Sequence, residues 1–560
     1  MSFQFPVRAF VGLCMRVVSA QRHNTKGGSL LYRGLGEFSH GDTKPIAHSV
    51  LPHMTNGALC GITSSLMSRV LRTVAAVAAT ALTACSGSGG GSSLSSSVPP
   101  ILGPALRSMT SPSPITHVVL VIQENRSFDD LFARFPGADG AKRGRAKIQR
   151  NSGFVYRWIK LQPEPLLQPR DLGHCHHTYV QSYDGGKMDG FYLNHFGVCG
   201  LPGKPAGSWV YQYVQQSDIE PYWQMASQYV LADHMFQTQG SGSFTAHQDL
   251  IRGGTSIDQV GSGSGYSASI IDNPGGAPWG CDAPAKTRLS LITTSGKYET
   301  NGPFPCSNDY PTYGSGGYHT MRDLLDAAGV SWRYYTPCFM QSKSCNASQE
   351  CNNCAGGLLN AFDSIYPVRY GSEWDNNVSM PETNIFNDIS GGNLPAVSWV
   401  VPEDKNSDHP GDGKRDDGPS WVASVVNAIG ESQYWNSTAI FILWDDWGGF
   451  YDNAAPPFQD HQGGLGFRVA TIVVSPYTIV GSSAAGGYVS HTQYEYGSLL
   501  RFIEDNFGLG RLGTTDERAT SIVDVFNYNQ PPHTFMAIPS HHDAYYFITH
   551  RHDFSRGDPE

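Results

Sequence analysis

The chain has 560 residues, enough for one large domain or several, and only 15% of them are charged. An average soluble protein carries roughly 25%. With 63 glycines and a formal net charge of -10, it reads as loop-rich with a weakly charged surface. There is no long Lys/Arg block to neutralise a phosphate backbone, so nucleic acid is excluded as the main partner.

Residues 1–66 show no hydrophobic period and read as an extension outside the folded protein, lying ahead of a more natural start at Met67. In "MSRVLRTVAAVAATALTAC" (67–85), Arg69 and Arg72 precede an apolar core, Val74 to Leu82. That core has the size of a signal-peptide core and is too short to span a bilayer. Leu82-Thr83-Ala84-Cys85 resembles a bacterial lipoprotein cleavage box. It predicts lipidation of Cys85, a lipid anchor to a membrane, and export to the cell envelope or beyond it. Residues 67–84 are then the signal, and 85–114, rich in Gly, Ser and Pro, a flexible tether to a folded domain over 115–560. Eight further cysteines in an exported chain predict disulfides. Cys175 with Cys199 and Cys281 with Cys306 are plausible local pairs. Cys338, Cys345, Cys351 and Cys354 offer the alternative of a zinc set.

From about Ile115, short β-rich apolar runs alternate with helical segments. "HVVLVIQ" (117–123), "AVSWVVPE" (396–403), "AIFILWDD" (439–446) and "RVATIVVSP" (468–476) predict strands. Their continuous apolar character fits burial on both faces. Between them, 320–329, 420–430 and 495–508 show helical spacing running to a glycine stop. Residues 253–317 are rich in Gly, Ser and Pro and predict long loops or a disulfide-stapled cap. Strands alternating with helices predict an α/β fold with a mostly parallel sheet.

Two strands end in adjacent polar pairs: Glu124 with Asn125, and Asp445 with Asp446. Side chains alternate faces within a strand, so both members reach one place only where the strand has ended. Ligands of open α/β sheets bind at that carboxyl edge. Three carboxylates and an amide oxygen meeting there repel one another unless a hard divalent cation neutralises them: Mg²⁺, Ca²⁺ or Mn²⁺, with Zn²⁺ also open. "GSGSFTAHQ" (240–248) supplies a nucleophile candidate. Glycines let a ligand approach the backbone, and Ser243 stands where a helix begins, with His247 four residues on.

These blocks, in order, resemble the bacterial phosphoesterase family that contains phospholipases C and related acid phosphatases. The match runs through "HVVLVIQENRSFDDLF" (117–132), "DGGKMDGF" (184–191), "GSGSFTAHQ", "WDDWGGFYDNAAPP" (444–457) and "YVSHTQYEYGSLLRFIEDNFGL" (488–509). The resemblance implies an alkaline-phosphatase-like three-layer α/β/α fold. It implies Glu124, Asn125, Asp445 and Asp446 as ligands of one divalent metal ion, and Ser243 as nucleophile. His174, His409 and His491 correspond to pocket histidines. His247 and Lys187 are substrate-binding candidates, although Lys187, like Arg126, suits an ion pair with a carboxylate equally well. Ser127 and Asp129 suit a helix cap.

The expected chemistry is attack of Ser243 on phosphorus, a phosphoseryl enzyme and its hydrolysis, on a phosphate ester or a phospholipid. The serine turn is nearer the phosphatase branch, whose turn resembles "GGSFxNHQ". Ala246 stands where that branch has Asn, and Asn453 where "GGFYDH" has His, which leaves phosphomonoesterase and phospholipase C both open. No "CxPxR"-like motif occurs, which sets sulfatases aside. A surface binding protein with a decayed site is the alternative of another class.

Overall fold

The structure, a computed structural model, describes residues 113–197, 203–257, 269–274, 279–293, 297–310, 317–340, 354–355, 359–411, 416–457, 463–481 and 486–550. Cys85, the signal-like segment and the tether as far as residue 112 lie outside these residues, as do Cys199, Cys345 and Cys351.

An eight-stranded sheet organises the chain. Its strands are β1 (His117–Gln123), β2 (Val230–Ala232), β3 (Trp332–Tyr335), β4 (Val378–Ser379), β5 (Val397–Val400), β6 (Thr438–Trp444), β7 (Thr471–Val474) and β8 (Tyr488–Ser490). Their spatial order is β4-β3-β5-β1-β6-β7-β2-β8. From β4 to β6 all neighbours are parallel. β7 runs against both β6 and β2, and β8 runs with β2. Every strand except β7 therefore points its carboxyl end to the same edge. The mostly parallel sheet of the sequence reading is present.

The main helices are α1 (Phe128–Phe132), α2 (His176–Tyr183), α3 (Glu220–Gln228), α4 (Ser243–Arg252), α5 (Met321–Ala328), α6 (Gly418–Gly430) and α7 (Tyr496–Phe507). They cover both faces of the sheet. Phe441 of β6 meets Phe502 of α7, with ring centroids 5.3 Å apart. Trp444, three residues on and so on the opposite face, meets Tyr222 of α3 at 5.0 Å. That is a three-layer α/β/α arrangement. It explains why Val118–Ile122 and the whole of β6 are buried and read as unbroken apolar runs.

Helix ends follow local chemistry. Thr320 and Asp323 form a capping box on α5, and Gly329 closes it in the left-handed region. Glu495 and Ser498 do the same for α7, closed by Gly508. α6 begins at Gly418, two residues before Ser420, because Pro419 in its first turn presets the helical φ.

Two elements depart from expectation. Within 253–317, where the reading is long loops or a disulfide-stapled cap, the chain builds a small antiparallel sheet from Ser256–Ile257, Ser269–Pro274, Leu289–Thr293 and Tyr298–Glu299. Strands this short leave too few alternations to read. The expected Cys281–Cys306 disulfide staples this region. A hairpin, Arg143–Arg150 with Gly153–Lys160, was not foreseen at all. Cys175 and Cys338 are each in a disulfide, so Cys338 is not a thiolate ligand. Among the described residues, no helix is long and apolar enough to cross a membrane.

Arg126 locks the turn after β1. Its guanidinium pairs with Asp130 at 3.1 Å and donates to the carbonyls of Asp408 and Leu166, all buried. Burial raises the Asp130 carboxyl to about 6, even against Arg126. Breaking a buried pair on one side strands the other charge and costs roughly 3–5 kcal/mol. Arg126→Ala is expected to lower the unfolding free energy by that order, read as an earlier midpoint in chemical unfolding. An unchanged midpoint would mean the turn holds without the pair.

Candidate active site

β1 and β6 lie side by side in register, Gln123 opposite Trp444. The residues that follow them, Glu124–Asn125 and Asp445–Asp446, therefore emerge together at the carboxyl edge. All four are buried. Asn125 has φ 59°, a left-handed turn that Asn tolerates better than most residues. The turn is held by its own amide, which donates to Asp445 Oδ1 at 2.9 Å. Gly448 packs against it so closely that a Cβ there would lie 1.9 Å from the Asn125 carbonyl oxygen. The "GG" after the acidic pair is thus required by close approach.

Ser243 is the first residue of α4 and sits in this cluster. Its Oγ donates toward Asn125 Oδ1 at 3.2 Å and Asp446 Oδ2 at 3.3 Å. At a helix start, backbone amides have no intrahelical acceptor and favour an anion. Asp446 is itself held by the Gly448 amide, which donates to its Oδ1 at 2.7 Å.

His174 and His409 flank Asn125. Each ring sets its tautomer through Nδ1, which donates to a carbonyl: Leu172 at 2.6 Å for His174 and Pro410 at 2.6 Å for His409. In the neutral rings Nε2 is then an acceptor. The Asn125 Nδ2 group lies 3.1 Å from His174 Nε2 and 2.7 Å from His409 Nε2. Both amide hydrogens are spent on these two rings, so Oδ1 must face Ser243. Of the three histidines in "HCHH", it is His174 that reaches the cluster. His176 turns to the Gly240 carbonyl at 2.7 Å, and His177 to Cys175 Sγ at 3.0 Å.

His247 is where the structure adds most to the sequence reading. Read there as substrate-binding, it groups with Glu124 and Asp445, all three buried and with possible ligand atoms within 4.8 Å of one another. Its Nε2 lies 3.0 Å from Glu124 Oε1 and 3.9 Å from Asp445 Oδ2. On its other side Nδ1 is 3.4 Å from the Tyr334 hydroxyl, which donates its proton to the Leu359 carbonyl at 2.7 Å. Tyr334 can then only accept from Nδ1. With its proton on Nε2 the ring donates to Glu124 Oε1; with Nε2 as the acceptor, a cation between the two would take that proton's place. Ser243 and His247 share one face of α4 by their i, i+4 spacing, a signal the sequence carried.

Two other candidates stand apart. His491 follows β8, at the far end of the sheet from β1, and its Nδ1 pairs with Asp233 at 2.8 Å, its side chain 58% exposed. Lys187 pairs with Asp184 at 3.3 Å on the surface. No described contact joins either to Ser243. Ser127 caps α1 as expected, accepting from the Asp130 amide. Asp129 does not. It accepts from the amides of Ala141 and Asn453 instead.

Burial, followed by the neighbouring charge of Glu124, pushes the Asp445 carboxyl up to about 8 from its ordinary 3.8. Between those values the folded protein holds a proton that the unfolded chain has lost, so folding stability without metal falls as pH rises through this window. A divalent cation among Glu124, His247 and Asp445 fits the donor set and takes the place of that proton. Metal binding is therefore expected to release protons near neutral pH and to weaken on acidification. The gain in thermal midpoint from added metal should grow toward pH 8 and shrink toward pH 4. Calorimetric titration of metal-stripped protein in buffers of different ionisation enthalpy reads the released protons. Binding without proton release would show the carboxylates already ionised.

Residues 115–510 match the sequence model of the Phosphoesterase family. Non-hemolytic phospholipase C of Burkholderia pseudomallei is 24% identical over 497 residues, covering 78% of this chain but only 62% of that relative. Phospholipase C A of Mycobacterium tuberculosis is 24% identical over 475 residues, covering 76% of this chain and 80% of the relative. A solved protein of the alkaline phosphatase superfamily from Vibrio parahaemolyticus covers 69% of this chain and 76% of its own at 10% identity, with a TM-score of 0.29, a likeness too slight to argue from. The family match takes in both polar pairs, Ser243, His247 and the two histidines around Asn125, and the chain belongs to the Phosphoesterase family.

Proposed function

We propose that the protein is a metal-dependent phosphoesterase that hydrolyses phosphate esters through Ser243. One observation carries this reading. A buried serine hydroxyl stands at a helix start between Asn125 Oδ1 and Asp446 Oδ2, beside a Glu-His-Asp group suited to a cation. Glu124, His247 and Asp445 would hold the ion, with Asn125 and Asp446 next to it. A divalent ion bound there would lower the pKa of the serine hydroxyl and screen the charge of a phosphoryl group.

The chain's own groups supply the rest. Asn125 Oδ1 cannot take the proton of Ser243 Oγ; the carboxylates beside it, Asp446 and Asp445, can. The Oγ–P bond forms as the ester P–O bond breaks, and water then cleaves the phosphoserine. His174 and His409 become donors at Nε2 on gaining a proton and releasing Asn125. In that form they can donate to the phosphoryl oxygens or protonate the leaving alkoxide. Export and lipid anchoring at Cys85 belong to the same proposal, supported by the signal-like segment.

The serine turn favours a phosphomonoesterase. Phospholipase C is the second reading, favoured by the relatives, which bear that name. Hydrolysis of p-nitrophenyl phosphate and of p-nitrophenylphosphorylcholine separates them. Release from the monoester alone makes the protein a phosphatase, and release from the choline diester makes it a phospholipase C. Ser243→Ala is expected to lower turnover on the order of a thousandfold or more. A variant as fast as the parent would remove Ser243 from the chemistry. Metal binding without hydrolysis of either compound would favour a binding protein.

A further inference from the structure

The hairpin Arg143–Lys160 is unlike the rest of the surface. Between Lys142 and Lys160 the chain carries seven Lys and Arg and no Asp or Glu, in a protein of formal net charge -10. The two strands divide the work. Gly144, Ala146 and Ile148 of the first strand point inward and are buried. Arg143, Arg145 and Lys147 point outward. On the second strand Phe154, Tyr156 and Trp158 share that outer face and are 48%, 48% and 61% exposed. The register sets Arg145 opposite Trp158 and Lys147 opposite Tyr156. Each cation leans diagonally onto a ring: Arg143 on Trp158 at 4.9 Å, Arg145 on Tyr156 at 4.8 Å, Lys147 on Phe154 at 4.7 Å. Two acids answer part of the charge, Asp184 to Lys147 at 3.0 Å and Asp189 to Arg145 at 3.5 Å. Arg143, Arg150, Arg157 and Lys160 keep theirs exposed.

A ladder of three large rings facing water is costly to hydration and needs a reason. Folding does not supply one, since the hairpin anchors itself through its other face. There Ala146 and Ile148 join an apolar cluster with Trp447, Phe450 and Tyr451. Those residues follow the Asp445–Asp446 pair directly, and the Trp447 ring lies 6.4 Å from that of His174. The outward rings and cations are thus mounted on the loop that borders the candidate active site.

We propose that this face docks on the surface of a membrane bearing anionic phospholipid. Trp and Tyr settle at the water–hydrocarbon boundary, where a ring is half wet, and Arg and Lys bind the negative headgroups beside them. The complementarity is local: the hairpin is cationic while the chain as a whole is anionic, so attraction selects one orientation. Single-stranded nucleic acid also takes basic and aromatic surfaces, but it stacks bases on open ring faces. Here each ring already has a cation over its face.

The test is co-sedimentation of the full chain with large vesicles of phosphatidylcholine, with and without phosphatidylglycerol, at low and high salt. A Cys85→Ser background removes any acyl chain. Binding to the phosphatidylglycerol vesicles, reversed by salt, is expected. Arg143→Gln/Arg145→Gln should bind about thirtyfold more weakly, or about fivefold per cation removed. Tyr156→Ser/Trp158→Ser should weaken binding to the same vesicles while leaving hydrolysis of p-nitrophenyl phosphate at the parent rate. Failure of the parent to bind anionic vesicles at low salt overturns the proposal, and so does equal binding by parent and both variants. If instead a single-stranded oligonucleotide binds and the variants lose only that, the occupant is nucleic acid and the membrane reading falls.

Discussion

The structure turns on the burial of like charges at the end of two neighbouring strands. Glu124, Asp445 and Asp446 are all removed from water, and Asp445 is driven toward its neutral form by that removal and by Glu124. A protein that buries carboxylates together must neutralise them with protons, with cationic side chains or with an ion. His247 faces two of them, its Nε2 3.0 Å from Glu124 Oε1 and 3.9 Å from Asp445 Oδ2. Glu124, His247 and Asp445 together could hold a divalent cation in place of those protons.

Asn125 shows how few degrees of freedom the site retains. Its backbone is held in the left-handed region by Asp445 and by contact with Gly448, and its amide by two histidines whose tautomers are set by main-chain carbonyls. The oxygen facing Ser243 is thereby aimed from four directions at once. The backbone of Asn125 is thus fixed before any substrate arrives, while its hold on the two imidazoles depends on their staying neutral. Asp408, in the left-handed region at φ 71°, has its carboxylate bound by Tyr222 and Trp444, and it presents His409 from the opposite side.

The sheet centre was legible because burial on both faces writes long apolar runs, and because polar pairs at their ends have few structural uses. β1 matches its expected bounds, while β5, β6 and β7 shift by one to three residues at their ends. The place of His247 could have been read from its i, i+4 relation to Ser243. His491 could not be placed from sequence, since nothing local says that its strand lies beyond β7 and β2, away from β1 and β6. The hairpin over 143–160 escaped for another reason. Its outward aromatics obscure the alternation of apolar and polar residues that identifies a half-buried strand.

β7 is the one strand of the sheet that runs backward, pairing with β6 as an antiparallel neighbour. The chain between Trp444 and Thr471 accordingly leaves and re-enters the sheet at the same edge, with no crossover beneath it. Such an excursion can lengthen, shorten or change composition without altering strand order, and each doubling of its length adds only about 0.6 kcal/mol of closure cost. It begins with Asp445 and Asp446 and then carries Trp447, beside His174, and Tyr451, both packed against the hairpin. The stretch beyond Tyr451 can therefore change while Asp445, Asp446 and the sheet that carries them stay where they are.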